Sequence, residues 1–152
     1  VSFFEAAFAA VVGIEGRYST DPQDPGNWTG GAINVGILKG TKYGISARAY
    51  PNLDIANLTL DQAKTLYQSD YFEACHCDQM SWERALTVFD CAVNQGQGIA
   101  RRFSLDFPDT VEFQTQRALR YASSVQFARD GHSWLHRLFL LTKLGQQTPG
   151  SP

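Results

Sequence analysis

Ser81-Trp82-Glu83-Arg84-Ala85-Leu86-Thr87-Val88-Phe89-Asp90-Cys91-Ala92-Val93-Asn94-Gln95-Gly96 is the stretch on which the fold class turns. Its apolar side chains Trp82, Ala85, Leu86, Phe89, Ala92 and Val93 recur at close to 3.6-residue spacing, the period of a helix that buries one face. Ser81 is an N-cap residue and Gly96 a residue able to end the helix. Such a segment belongs at the centre of a core, so its neighbours decide what covers it. Upstream, Phe4, Phe8, Val11 and Val12 follow the same period behind a Ser2/Glu5 capping box, which predicts a helix over residues 3–14 weakened at its end by Gly13 and Gly16. Thr59 and Gln62 repeat the capping pattern and open a helix through Tyr67 and Phe72. Downstream, Asp109 and Glu112 start a helix to about Ala122, and Trp134, Leu135, Leu138, Phe139 and Leu141 mark the last one before Gly145.

From Asp21 to Gly44 the texture changes. Pro22, Pro25, Gly26, Gly30, Gly31, Gly36, Gly40 and Gly44 leave room for loops and a short hairpin around Ile33–Leu38. No strand–helix alternation suggests a parallel sheet, and no internal repeat is visible. The reading is an all-α domain with a small β-hairpin/loop lobe, one domain over residues 1–145, followed by a flexible tail over 146–152 rich in Pro, Gly and polar residues.

Composition bounds the function. The 152 residues are 43% hydrophobic, enough to fold without staples, and the net charge of −2 excludes a general basic field for nucleic acid or anionic membrane. Residues 1–100 carry 6 basic and 11 acidic side chains, residues 101–152 carry 7 and 4, so the halves stand near −5 and +3. A polymer with some negative charge suits the second part. Cys75, Cys77 and Cys91 are too few and odd in number for a disulfide framework. The apolar stretch Phe3–Ile14 is too short to cross a bilayer and lacks the basic start and cleavage site of a signal peptide, so neither membrane insertion nor a signal peptide is expected.

Two carboxylates stand out. Glu15 sits where an apolar helix runs into the Gly/Pro-rich segment, and partial desolvation there raises a carboxyl pKa towards that of a general acid; the plain alternative is a helix-end Glu facing Arg17. Asp24 follows nine residues later in Asp21-Pro22-Gln23-Asp24-Pro25-Gly26. A pair of carboxyl groups is what glycoside hydrolysis needs, although Asp before Pro is equally a turn former. Other patterns point nowhere. Cys75-His76-Cys77 lacks zinc-knuckle spacing, His132 and His136 lack the Glu of a metalloprotease helix, Gly31–Gly36 lacks the phosphate-loop Lys, and Ser46 lies in no nucleophile elbow. No metal or other cofactor is expected. Among the three tryptophans, Trp82 and Trp134 fit helix-core spacing, which leaves Trp28 for stacking on a sugar.

The run Glu15-Gly16-Arg17-Tyr18-Ser19-Thr20-Asp21-Pro22-Gln23-Asp24-Pro25-Gly26, followed by Thr41-Lys42-Tyr43-Gly44-Ile45-Ser46, resembles the signature of glycoside hydrolase family 108. The likeness continues at Asn94-Gln95-Gly96, at Gln116–Tyr121 and at Gly131–Leu138, and so covers nearly the whole chain. That family comprises lysozyme-like N-acetylmuramidases found mostly in phage endolysins and virion-associated wall-degrading proteins. The resemblance implies a lysozyme-like fold, Glu15 as catalytic acid, and Asp24 with a threonine handling water. Two departures stand beside it: Arg17 replaces a Gly, and Asn27 to Gly40 inserts about a dozen residues. The insert leaves two threonines: Thr41 keeps the following Gly44-Ile45, whereas Thr29 keeps its distance from Asp24, and Thr41 is preferred. Trp28, Thr29, Tyr43, Asn94 and Gln95 become candidate substrate contacts; Tyr43 as a core aromatic and Asn94 as a helix-end cap remain the plain alternatives.

The resemblance therefore implies cleavage of the β-1,4 bond between N-acetylmuramic acid and N-acetylglucosamine in bacterial peptidoglycan, by a bacteriolytic protein acting on the wall from the periplasm or from a virion, alone or as a piece of a larger virion or tail protein. Neither nucleic acid nor an inserted membrane is an expected partner. One rival is a lytic transglycosylase, which closes a 1,6-anhydro ring on the sugar. A second is a catalytically silent wall-binding module, favoured by the cationic Arg17 beside the acid.

Overall fold

The computed structural model describes residues 3–13 and 17–147. Glu15, the Ser2 cap and the tail from residue 148 lie outside the described residues. Residue contacts divide the chain into two compact units, Val1–Val11 with Gln68–Pro152, and Val12–Tyr67.

The first unit is helical and is built on α3, Trp82–Gln95. Ser81 caps it by accepting from the Arg84 N–H at 3.4 Å, and Gly96 ends it at φ 97°. The helices α1 (Phe3–Val11), α4 (Gln97–Asp106), α5 (Thr110–Ala122) and α6 (Phe127–Gly145) pack around α3. Phe4, Phe72 and Phe89 meet edge to face, with centroids 5.5 Å apart for Phe4–Phe72 and for Phe72–Phe89, the arrangement that aromatic quadrupoles favour. Arg84 lies over the Phe113 ring and donates to the carbonyls of Phe107 and Asp109, so one guanidinium fixes the turn from α4 to α5. The three cysteines are free and buried. Burial pushes the Cys75 and Cys77 thiols up and the Cys91 thiol up to about 11, which leaves all three protonated and unreactive near neutral pH.

Asp90 is a buried acid among the apolar side chains of α3. It is fully buried, yet its Oδ2 accepts from Arg117 Nη2 and its Oδ1 from Arg137 Nε, each at 2.6 Å. Arg117 is also fully buried and spends its remaining donors on Gln95 Oε1, Gln114 Oε1 and the Thr87 carbonyl. Arg137 donates as well to the carbonyl of Val11, an orphan acceptor at the end of α1. One carboxylate thus ties α1, α3, α5 and α6, and every charge in the cluster has a partner.

The second unit holds α2, Leu60–Tyr67, and a two-stranded antiparallel sheet of β1 (Thr41–Lys42) and β2 (Ile45–Ser46). The capping box of α2 is formed in both directions: Thr59 N–H to Gln62 Oε1 at 2.9 Å, and Gln62 N–H to Thr59 Oγ1 at 3.2 Å. Beyond Tyr67 the chain continues as a π-helical turn, Gln68–Phe72. The strands sit later than the hairpin expected around Ile33–Leu38, which instead contributes one arm of a loop closed by a Trp28–Leu38 bridge. Tyr43 and Gly44 join the strands with φ of 51° and 75°, the two positive values of a type I′ turn, whose twist matches a tight hairpin. A Cβ on Gly44 would also stand 2.4 Å from the Tyr67 hydroxyl. Gly44→Ala is expected to cost roughly 1–3 kcal/mol through that strain, read as a lower thermal midpoint by circular dichroism.

Two helix limits differ from the expected ones. Gly13 takes φ 74° and α1 stops at Val11, short of residue 14. Residues 97–106, to which no helix was assigned, form α4, and α6 starts at Phe127 before its apolar repeat begins.

Candidate active site

Asp21 and Asp24 each fold the chain back on themselves. Asp21 Oδ1 accepts from the Gln23 N–H at 2.9 Å and Asp24 Oδ1 from the Gly26 N–H at 2.8 Å, two successive Asx turns. Asp24 thereby caps a 3-10 turn, Pro25–Asn27, in which Pro25 supplies the φ that the first position needs. A Cβ at Gly26 would lie 3.1 Å from the Asp24 carboxylate, a tight contact that the side chain could relieve only by shifting within the turn. The carboxylate remains exposed. One of its oxygens is fixed by the turn, and the other has no partner among the described residues.

The turn is anchored from beneath by Asn27, which is fully buried. Its Nδ2 donates to the Asp21 carbonyl at 3.0 Å, and its Oδ1 accepts from the Thr41 hydroxyl at 2.7 Å. Its own carbonyl accepts from the Lys39 and Gly40 N–H groups, both at 3.0 Å. A buried amide is inexpensive only when both ends are satisfied, and here both are. Thr41 is held further by paired 2.9 Å backbone hydrogen bonds with Ser19. Asp24 and Thr41, paired by the family resemblance, are therefore parts of one hydrogen-bonded assembly whose centre is Asn27. Sequence reasoning passed over Asn27 because, next to Pro25 and Gly26, it reads as one more turn former.

Thr29 has a different job. Its Oγ1 accepts from the Ile37 N–H at 2.8 Å and pins the two arms of the inserted loop together, with Gly36 packed so closely that a Cβ would stand 2.2 Å from that oxygen. The indole N–H of Trp28 donates to the Pro22 carbonyl at 3.0 Å, so the half-buried ring is tied to the Asp21–Asp24 turn. Tyr43 is half-buried in its hairpin turn, with Lys42 Nζ 5.7 Å from the ring centroid and its carbonyl taking the Tyr67 hydroxyl at 3.0 Å.

Asp24, Trp28, Thr29, Thr41 and Tyr43 all belong to the Val12–Tyr67 unit. Asn94 and Gln95 belong to the helical unit, at the end of α3. The Asn94 amide donates back to Asp90, at 2.9 Å to its carbonyl and 3.0 Å to Oδ1, and Gln95 Oε1 holds the buried Arg117. Both also line a cavity of about 380 Å³ shared with Arg120, Tyr121, Ser124 and Trp134. Among the described residues no set of three or more His, Cys, Asp and Glu side chains is grouped to hold a metal ion. His132 and His136 lie on α6 with rings parallel and centroids 6.1 Å apart.

The family model for Glycosyl hydrolase 108 matches residues 8–96, more than half of the chain. No curated protein matches it.

Proposed function

We propose what this chain, which belongs to glycosyl hydrolase family 108, does: it is an N-acetylmuramidase that cleaves the β-1,4 bond between N-acetylmuramic acid and N-acetylglucosamine in peptidoglycan. Membership makes the chain a glycoside hydrolase of the cell wall, in keeping with its mostly helical, lysozyme-like architecture. No helix among the described residues is long and apolar enough to cross a membrane.

The observation that carries the finer reading is the Asp24–Asn27–Thr41 assembly. Glu15, outside the described residues, is assigned the proton that the glycosidic oxygen takes as the bond breaks. Asp24 then meets the positive charge that grows at the anomeric carbon and orders the water that attacks it. Its free oxygen suits that work, because the other is immobilised by Gly26 and cannot swing away. The Thr41 hydroxyl donates its hydrogen bond to Asn27 Oδ1, so its oxygen keeps lone pairs to accept from that water. The Thr29 oxygen already takes the Ile37 N–H, which favours Thr41 for this role.

Release of new reducing ends from purified peptidoglycan tests the assignment. Asp24→Asn keeps the Asx turn but lacks the charge, and is expected to slow release about 10²-fold. Thr41→Val is expected to slow it about 10-fold, at the cost of one buried hydrogen bond. Thr29→Val is expected to lower the thermal midpoint while leaving the rate at 25 °C within about 3-fold, since it removes only a loop pin. Unchanged release by Asp24→Asn would overturn the assignment.

A further inference from the structure

The basic surplus after residue 100 is smaller than the sequence suggests. Arg117 and Arg137 turn inward to Asp90, Arg129 pairs with Asp130 at 2.7 Å, and Arg102 lies 4.0 Å from Asp106. Arg120 differs. It is exposed on α5, its guanidinium has no hydrogen-bond or ion-pair partner among the described residues, and it lines the cavity of about 380 Å³ at the ends of α3 and α5. Among the described residues no Asp or Glu lines that cavity.

The other walls are chosen in the same sense. Trp134 is half-buried and stacks on Tyr121, centroids 4.8 Å apart and planes 25° from parallel, which makes a rigid apolar wall. Its indole N–H has no partner among the described residues. Ser124 has its hydroxyl oxygen on the Gln126 N–H and keeps its own proton to give. Asn94 and Gln95 are held in place from behind by Asp90 and Arg117. The unspent groups are thus mainly donors, led by a guanidinium whose planar fork fits a carboxylate two bonds at a time, while Asn94, whose amide N–H groups go to Asp90, leaves its Oδ1 as an acceptor. The volume lies in the range of small-ligand sites, enough for a short peptide and not for a length of polymer.

We propose that this cavity binds the acidic stem peptide of peptidoglycan, Arg120 taking a side-branch carboxylate while Trp134 packs against the adjoining alanyl methyl groups. This rests on the peptidoglycan reading above for the ligand's source, and on the cavity alone for its chemistry. It gives the helical unit a part in substrate recognition: the peptide branch is held here, and cleavage belongs to the carboxylates.

The test uses the full chain carrying Glu15→Gln, so that nothing is consumed, with N-acetylmuramyl-L-alanyl-D-isoglutamine as the acidic probe and triacetylchitotriose as a neutral one. Binding of the acidic probe is expected to move the Trp134 indole proton resonance. Arg120→Gln is expected to weaken that binding at least 10-fold while leaving chitotriose binding and the thermal midpoint unchanged, and Arg120→Lys to recover part of the loss. Equal affinity of the acidic probe for both proteins, no binding at millimolar concentration, or an equal loss for chitotriose would each overturn the proposal. Failure of the muramidase reading shows separately, as undiminished wall lysis by Glu15→Gln in the same preparations.

Discussion

Glu15→Gln is expected to lower the release of reducing ends from peptidoglycan about 10³-fold while leaving binding to isolated walls and the thermal midpoint unchanged. The size follows from what a positioned general acid contributes, typically 10²–10⁴-fold. Glutamine keeps the shape and can donate a hydrogen bond, but it cannot deliver a proton to a departing sugar oxygen. Turbidity of permeabilised cells gives the screen and end-group analysis the rate. The comparison with Asp24→Asn is informative in itself: loss of the acid should hurt more than loss of the residue that steadies charge and water. Lysis by Glu15→Gln at the native rate would remove Glu15 from the mechanism, and absence of lysis by the native protein, with walls still bound, would leave a silent binding module.

The largest stability effect is expected at Arg117. Arg117→Met leaves Asp90 with Arg137 as its one cationic partner, itself partly exposed and shared with the Val11 carbonyl, beside the Asn94 amide, and it takes from Gln95 and Gln114 the guanidinium donors they face. Removing one partner of a buried ion pair costs about 3–5 kcal/mol, which in a chain of this size lowers the thermal midpoint by roughly 6–20 °C. A paired replacement separates charge from packing. Arg117→Met with Asp90→Leu removes the stranded carboxylate, and is expected to recover much of the loss, since an apolar set of similar volume avoids the desolvation of two ions. Differential scanning calorimetry of the single and double variants reads both.

These two positions also mark what the sequence made legible. The helices over 82–95 and 110–122 were readable because Ser81 and Asp109 are local caps and the apolar spacing is local too; both caps are made, at Arg84 and Glu112 N–H respectively. The α2 capping box was legible for the same reason. Asp90 was not. It is a single acid on an apolar face, and the arginines that neutralise it lie 27 and 47 residues away, so no window along the chain contains the explanation. The strands escaped because two residues each are too few to display alternation, and because Tyr43 occupies a left-handed position usually filled by Asn, Asp or Gly. α4 escaped behind Gly96 and Gly98, which read as the end of one helix and not the start of another. At the site, Asp24 and Thr41 were found as members of a motif, whereas Asn27, which joins them, is recognisable only once burial turns a loop amide into a bridge.

That join bears on the inserted residues as well. The loop from Asn27 to Gly40 starts and ends on the assembly itself, since the Asn27 carbonyl takes the N–H groups of Lys39 and Gly40. An insertion closed so tightly at its base changes what stands beside Thr41 without moving Thr41 from Asn27. Shortening the loop above the Thr29–Ile37 pin is thus a gentler change than substituting Asn27.

Borohydride reduction of the saccharides released from peptidoglycan, followed by mass analysis of the new ends, is the most direct test of the proposed activity. Hydrolysis by an N-acetylmuramidase predicts that the new ends are muramic acid and that they reduce to muramitol. New ends that resist reduction and carry 1,6-anhydromuramic acid, or new reducible ends on glucosamine, would contradict it.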